Sequence, residues 1–517
     1  MNSFLRKHKF IIKYIFTGVS VSSLDVVLLY VFREYYSLWY LYSAILSLVV
    51  SYTVAFIVQK YWTFSDYSSH DLHGQFLWYV FSVLTSIFLN LALFATLLEL
   101  TNINYLLAQL LALMLGGITG FIMNVRNVFG HLDEDNGVVI AAGIYPPEIG
   151  GPATQIQNLA RGFNSGGVKV AVVTYAKQRA SDPGDSFDVH RIPSGWPTII
   201  RGLSYLTLLF TSSIKHHNIF AQDITGTGLP AMLVKKMLPD KRFIIRIGGD
   251  LLWERKVEAG ETGLSLPEYY RTGAHNGQRL FKIGRYVMSS ADQIVVPAEF
   301  LKEIYVKYYD VPTDKITVIK NPIPAIEDVW RSNLQNLEVG SPKKDKTILF
   351  AGRFLKLKNI DTLINAFLSV YEEIKPAKLV LIGDGPERKN YEERIKNEEL
   401  KDRVEIVSTL PRAELMSHIT KADLCVCPSI SEVNSNFILE CLALGKPVLL
   451  TKNNGLSIKL PTEMLVSPED QVEMQNKIKS LLAGGYNSSE LERQVREESA
   501  SNTREHVLKE YSKIFKA

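Results

Sequence analysis

The chain has 517 residues and a net charge of +4, from 57 Lys and Arg against 53 Asp and Glu. That length holds three or four ordinary domains, and a balance so close to neutral excludes the electrostatic footprint of a nucleic-acid partner. The three cysteines, Cys425, Cys427 and Cys441, share one apolar stretch. They read as small buried residues in a reducing compartment, not as a disulfide frame or a metal site.

Residues 1–130 are rich in Leu, Val, Phe and Tyr and poor in charge. Four apolar runs, about residues 11–32, 39–58, 76–98 and 105–125, each reach the roughly 20 residues a membrane-crossing helix needs. The first is not a cleaved signal, because no small-residue cleavage site follows it and three more runs do. Arg6, Lys7, Lys9 and Lys13 precede the first run, Lys60 ends the second and Arg126 ends the fourth. The opposite loops carry only Arg33 beside Glu34, and Glu99. This asymmetry predicts a multi-pass protein of the cytoplasmic (inner) membrane with both termini and residues 131–517 in the cytoplasm.

A repeat with an offset of 65 residues aligns FIVQKYWTF at 56–64 with FIMNVRNVF at 121–129, Tyr14 with Tyr79, and Asp25 with Asn90. Two hairpins of equal topology are predicted, related by an axis along the membrane normal. Over residues 9–130 the pattern resembles the GtrA-like membrane family. The resemblance implies handling or translocation of polyprenyl-phosphate-linked sugars. Asp25 and Asn90 within the spans, and Lys60 and Arg126 at the cytoplasmic edge, are the candidates for contact with a lipid or acceptor. A helix–helix hydrogen bond for Asp25, and plain anchoring for the two cations, are the alternatives. The polar junction at 131–137 is short enough to hold residues 138–517 close to the bilayer.

Beyond it, strands alternate with helices. The strand at 138–142 leads into a turn with Pro146, Pro147, Gly150 and Gly151, where glycine lets a backbone approach a phosphate or sugar. Further strands at about 169–174, 219–222, 243–247 and 293–297 predict a Rossmann-like half ending near residue 324. Residues 196–214, apolar with Arg201, form either a membrane-interfacial face or a buried crossover helix. Asp250, just past a strand end, is placed to contact or polarise an acceptor hydroxyl, with helix N-capping as its alternative.

In the second half, the strand at 347–351 runs into Gly352, Arg353 and Lys358. A guanidinium fork and an ammonium point charge suit a diphosphate, whose charge they would stabilise as a bond to it breaks. The strand at 424–427 leads to a loop with Glu432 and to a helix, about 436–443, carrying Glu440. Both carboxylates can converge on the crevice beyond the strand's carboxyl end and grip hydroxyls.

Residues 138–517 resemble retaining glycosyltransferases of family 4, with the GT-B fold. The resemblance rests on Glu432 and Glu440 in an E-x7-E spacing, on Ala443, Gly445, Pro447 and Val448 after it, on YPPEIGGPAT at 145–154, and on Gly352, Arg353 and Lys358 with Asn359 in place of a glycine. It implies an α/β pair of Rossmann-like domains, 138–324 for the acceptor and 325–517 for the donor, behind the α-helical membrane domain 1–130. It assigns catalysis to Asp250, Glu432, Arg353 and Lys358. It assigns donor binding to Gly150, Gly151, Gly352, Arg353, Lys358, Glu432, Asn434, Ser435, Asn436 and Glu440, with Glu440 on the ribose. No cofactor and no metal is expected, the nucleoside-diphosphate sugar being a substrate. Where the family has Gly-Phe-Gly after the first glutamate, this chain has Val433, Asn434 and Ser435. The combined expectation is transfer of a hexose-type sugar to polyprenyl phosphate or a polyprenyl-linked lipid, in cell-envelope polysaccharide synthesis. The alternatives are a lipid-linked-sugar flippase with a regulatory sugar-binding part, and an anchored transferase acting on another acceptor.

Overall fold

A computed structural model of the chain describes all residues except 1–8, 65–71, 101–103, 129–134, 149–150, 178–184, 323–344, 398–399, 401, 487 and 517. Among the described residues four helices are long and apolar enough to cross a membrane: α1 (Lys9–Tyr30), α2 (Tyr40–Val58), α3 (Leu72–Leu100) and α4 (Tyr105–Met123). Their large side chains, among them Phe16, Val26, Leu84, Phe88 and Leu113, point outward. The buried faces are small instead, Ser43, Ser47, Ser51 and Ala55 on α2 and Ala108, Ala112, Gly116 and Gly120 on α4. A spacing of four keeps each set on one face, and small residues there let helix backbones approach closely where lipid rather than water is the solvent.

Each member of the α2 set lies 65 residues before its counterpart on α4, so the repeat seen in sequence is a repeat of packing. Tyr14 meets Phe121 with ring centroids 4.9 Å apart, and the counterpart pair Tyr79 and Phe56 meets at 5.5 Å. Asn124 Nδ2 donates to Oε1 of its own counterpart, Gln59, at 2.9 Å. Such exchanged pairings are what a two-fold relation between the hairpins demands. A π-helical turn follows both α2 (Gln59–Thr63) and α4 (Asn124–Val128), again 65 residues apart.

The first soluble lobe is a parallel sheet in the order β3-β2-β1-β4-β5-β6-β7. Its strands are β1 (Asp135–Ala142), β2 (Val170–Ala176), β3 (Asp188–Pro193), β4 (His216–Ala221), β5 (Arg242–Arg246), β6 (Gln293–Val296) and β7 (Ile316–Val318). Val138 to Ala142 are fully buried, as a central strand covered on both faces requires. The helices are α5 (Gly151–Ser165), α6 (Thr198–Ile214), α7 (Gly228–Met237), α8 (Leu251–Glu258), α9 (Leu266–Arg271), α10 (Arg279–Ser290) and α11 (Glu299–Tyr309).

The second lobe is a parallel sheet in the order β10-β9-β8-β11-β12-β13. Its strands are β8 (Lys346–Ala351), β9 (Ala377–Ile382), β10 (Val404–Val407), β11 (Leu424–Cys427), β12 (Val448–Thr451) and β13 (Leu465–Val466). Around it lie α12 (Ile360–Ile374), α13 (Arg388–Asn397), α14 (Arg412–Lys421), α15 (Asn436–Ala443), α16 (Gln471–Leu482) and α17 (Ser488–Ser501), and α18 (Arg504–Lys516) follows them in the chain. The chain then departs from the simple division at residue 324. Tyr511 and Phe515 of α18 pack on Phe163 and Phe220 of the first lobe, so the C-terminal helix straps the lobes together.

Helix α6 is a crossover helix that leaves part of its apolar surface bare. Tyr205, Leu208 and Leu209 are buried as in a crossover helix. Phe210 lies 5.7 Å, centroid to centroid, from Phe121 of α4, which joins the soluble part to the four-helix part. Ile199, Ile200 and Leu203 are exposed.

Candidate active site

Strand order reverses between β8 and β11, and at such a switch the loops after the two strands part and leave a crevice. Arg353 and Lys358 follow β8, and Glu432 follows β11. Lys358 Nζ stands 2.7 Å from Glu432 Oε2. Ser429 Oγ donates to the same oxygen at 2.9 Å, and Cys427 Sγ at 3.5 Å. Burial works against the Glu432 charge, but Lys358 and these donors outweigh it and hold the carboxyl below the ordinary range. Burial also pulls Lys358 down, but Glu432 outweighs it and raises the ammonium above the usual lysine range. Burial pushes the Cys427 thiol up to about 12, so it stays protonated and donates. The loop is fixed by its backbone, with Glu432 N donating to Asn453 O at 2.8 Å and Gly455 N to Glu432 O at 3.0 Å.

Asn359 explains its own departure from glycine. It adopts a left-handed conformation (φ 55°), which asparagine tolerates better than most residues. Its Nδ2 donates to Pro428 O at 3.2 Å and to Pro468 O at 2.8 Å, tying the β8 loop to the β11 loop. From the other lobe, Glu258 of α8 accepts the Lys356 and Leu357 backbone N–H groups at 3.2 and 3.0 Å. These contacts set Lys358 at the seam between the lobes. Arg353 is exposed there, and its charge acts on Glu254 of the first lobe.

The first lobe presents a different acid from the one the sequence singled out. Asp250 is 1% exposed and is the N-cap of α8. Its Oδ1 accepts from Trp253 N at 2.9 Å and its Oδ2 from the Tyr270 hydroxyl at 2.8 Å. With both oxygens engaged, the capping alternative describes its geometry, and an acceptor hydroxyl has no direct path to it. One turn on, Glu254 feels the charges of Asp250, Lys358, Glu432 and Arg353. Burial first, then Asp250 and Glu432, push its carboxyl up to about 7, against the pull of Lys358 and Arg353. A Cβ at Gly249 would overlap Glu254 Oε1, so glycine there makes room for the carboxyl. The signal was present in the GD-x-x-WE string at 249–254, where the second acid sits one helical turn past the cap.

Glu440, mostly buried on α15, is ion-paired at 3.0 Å with Arg412 at the start of α14. Burial raises its carboxyl above the ordinary range, and Arg412 pulls it back. Ser435 caps α15 by accepting from Ile438 N at 3.4 Å. Asn434 Nδ2 reaches Pro297 O of the first lobe at 3.4 Å. Asn436 Oδ1 accepts from Asn321 Nδ2 at 2.9 Å, while Asn321 Oδ1 accepts from Gln155 Nε2 at 2.9 Å and Arg246 Nη2 at 3.1 Å. Asn321 is thus a hub between lobes that sequence reading missed. Gly151 opens α5 with its Cα hydrogens toward Asn436, and Gly352 follows β8, whereas Gly150 lies outside the described residues.

In the four-helix part Lys60 is fully buried and donates to Gln75 Oε1 at 2.7 Å, so it faces the bundle rather than the outer surface. Asp25 Oδ1 and its repeat counterpart Asn90 Nδ2 are buried without a hydrogen-bond partner. The Arg126 side chain lies outside the described set.

Two parallel-sheet lobes with a charged crevice between them, packed on four helices apolar enough to cross a membrane, define the GT-B fold with an N-terminal membrane domain. Matches to family models divide the chain the same way. Residues 13–129 match the GtrA/DPMS transmembrane domain, 149–325 Glycosyltransferase Family 4, and 335–502 Glycosyl transferases group 1. The chain thus joins a GtrA/DPMS-type transmembrane domain to two glycosyltransferase domains. The alpha-monoglucosyldiacylglycerol synthase of Streptococcus pneumoniae is 29% identical over 190 residues, 35% of this chain and 42% of that protein. The phosphatidylinositol N-acetylglucosaminyltransferase GPI3 subunit of Saccharomyces cerevisiae is 21% identical over 201 residues, 38% of this chain and 44% of that one. The chain therefore spans under half the length of these curated relatives. Among solved structures, the sucrose-phosphate synthase of Thermosynechococcus elongatus superposes with a TM-score of 0.56 at 18% identity, covering 74% of this chain and 98% of that one. Anabaena HepE in complex with UDP-glucose gives 0.56 at 14% identity, covering 74% and 99%. These structural likenesses concern the fold.

Proposed function

We propose that the protein moves a sugar from a nucleoside diphosphate to a lipid acceptor, polyprenyl phosphate or a polyprenyl-linked saccharide, at the cytoplasmic face of the membrane and with retention of anomeric configuration. The observation that carries this reading is the contact of Phe210 with Phe121, which packs on a GtrA-type transmembrane domain the lobe whose Glu258 meets the loop of Lys358 at the seam. The Lys and Arg flanks of the spans support the cytoplasmic placement.

Arg353 and Lys358 neutralise the charge that grows on the diphosphate as the sugar–phosphate bond breaks, so that no divalent cation is required. Glu440 exchanges Arg412 for the ribose hydroxyls, and Glu432 orients the sugar. Where the acceptor is a hydroxyl, of a polyprenyl-linked saccharide or a glycerolipid, Glu254 faces it and takes its proton; a phosphate acceptor is already ionised and needs no base, and Asp250 holds the start of α8 in either case. A glycerolipid acceptor is the second reading, favoured by the similarity to a monoglucosyldiacylglycerol synthase.

Purified full-length protein with radiolabelled nucleotide sugars, offered polyprenyl phosphate or diacylglycerol in the presence of a chelator, tests both. Lipid-extractable label that falls at least tenfold in Glu440→Gln at nucleotide-sugar concentrations below KM supports the transferase, and the lipid that carries the label chooses the acceptor. Movement of lipid-linked sugar across vesicles without turnover overturns it in favour of a flippase, and dependence on added divalent cation overturns the charge role of the two cations.

A further inference from the structure

Ile199, Leu203, Leu206 and Phe210 stand at i, i+4, i+7 and i+11 of α6, which places them on one stripe of the helix. The lower end of the stripe is covered, with Phe210 6% exposed against Phe121 of the transmembrane domain. Its upper end is bare. Ile199 is 77% and Leu203 61% exposed, with Ile200 beside them at 52%. The helix carries no acid, and its one cation, Arg201, is turned away to donate to Ser194 O at 2.7 Å. The Tyr205 hydroxyl donates to the carbonyl of Ala142, the last residue of β1, at 3.2 Å. The turns before Tyr205 therefore overhang the carboxyl edge of the sheet, the edge on which the crevice opens.

We infer that the first two turns of α6 rest on the bilayer the four helices cross, with Ile199, Ile200 and Leu203 at the boundary between headgroups and acyl chains, and that a lipid acceptor enters the crevice past this edge. A stripe covered at one end by a transmembrane helix and bare farther along the same face meets whatever lies beside that helix, and beside a transmembrane helix lies lipid. The entry route rests on the lipid-acceptor reading; the contact with the bilayer does not.

All three native cysteines are buried, so a cysteine introduced at the surface can be labelled alone. Full-length Ile199→Cys and Leu203→Cys, carrying an environment-sensitive fluorophore in nanodiscs with one copy per disc, are compared with Val472→Cys, which is 62% exposed on the second lobe. Doxyl-labelled phosphatidylcholine is expected to quench at 199 and 203 several-fold more than aqueous iodide does, with the reverse at 472. Iodide quenching at 199 and 203 equal to that at 472 overturns the contact. Shielding from both quenchers overturns it too, in favour of a protein covering. Ile199→Asp with Leu203→Asp should raise the KM for the lipid acceptor about tenfold or more while slow hydrolysis of the nucleotide sugar stays unchanged. An unchanged KM overturns the entry route. Lipid quenching in a protein that makes no lipid product leaves the contact standing and removes the proposed function instead.

Discussion

Glu254→Gln is expected to stabilise the first lobe at pH 8 while removing most of the transfer activity. The carboxyl is pushed up to about 7 in place of an ordinary 4.5, so ionising it inside the seam costs about 3 kcal/mol, an upper value because neighbouring groups relax. The sign follows from proton binding. Below the ordinary carboxylate range both folded and unfolded chains hold the proton and there is no penalty. Between about 4.5 and 7 the unfolded chain releases it and the folded chain keeps it, so stability falls as pH rises, and above 7 the whole cost is present. Gln carries no such cost. Denaturation midpoints of the two proteins in nanodiscs should coincide near pH 4 and separate by several degrees at pH 8 in favour of the variant. Loss of a positioned base lowers transfer by roughly 10²- to 10⁴-fold. Equal midpoints at pH 8, or a gain just as large at pH 4, would refute the reasoning, because Glu254 would then not be held against its charge.

Lys358→Met leaves Glu432 buried without its cation and should cost about 3–5 kcal/mol near pH 7 in denaturant titrations. Because the Glu432 carboxyl is held low by that partner, the deficit should shrink as pH falls through the ordinary carboxylate range, where the variant's Glu432 takes up a proton. Glu440→Gln should raise the KM for the nucleotide sugar roughly 10- to 100-fold through loss of a charged hydrogen bond, read by nucleotide release. Asp250→Asn keeps a capping oxygen and should retain turnover within a few-fold, whereas Gly249→Ala, which crowds the Glu254 carboxyl, should lose at least tenfold in kcat with the fold intact by circular dichroism.

Much of this protein is written locally. The spans are legible because lipid demands about twenty apolar residues in a row, and their kinship because Gln59 and Asn124, like Tyr14 and Tyr79, recur at one offset. The crevice cations and Glu432 are legible because they follow buried strands at turns, where side chains of one chain segment have nowhere else to go. Asn359, standing where a glycine was expected, still satisfies the same left-handed backbone.

What tertiary structure alone decided is which groups meet. Two acids follow β5 one turn apart; Asp250 caps α8 through its local bond from Trp253 N, but only the hydroxyl of Tyr270, held in turn by Tyr309 at 2.8 Å, occupies its second oxygen. Arg412 as the partner of Glu440, Asn321 as the hub of the lobes, and α18 crossing back onto Phe163 are of the same kind. Periodicity, capping and turn chemistry act over a few residues and can be read in order along the chain. The pairing of distant surfaces depends on shape and burial that exist only once the sheets have formed, so an amphipathic helix such as α6 announces that it has a face to hide without naming what it hides against.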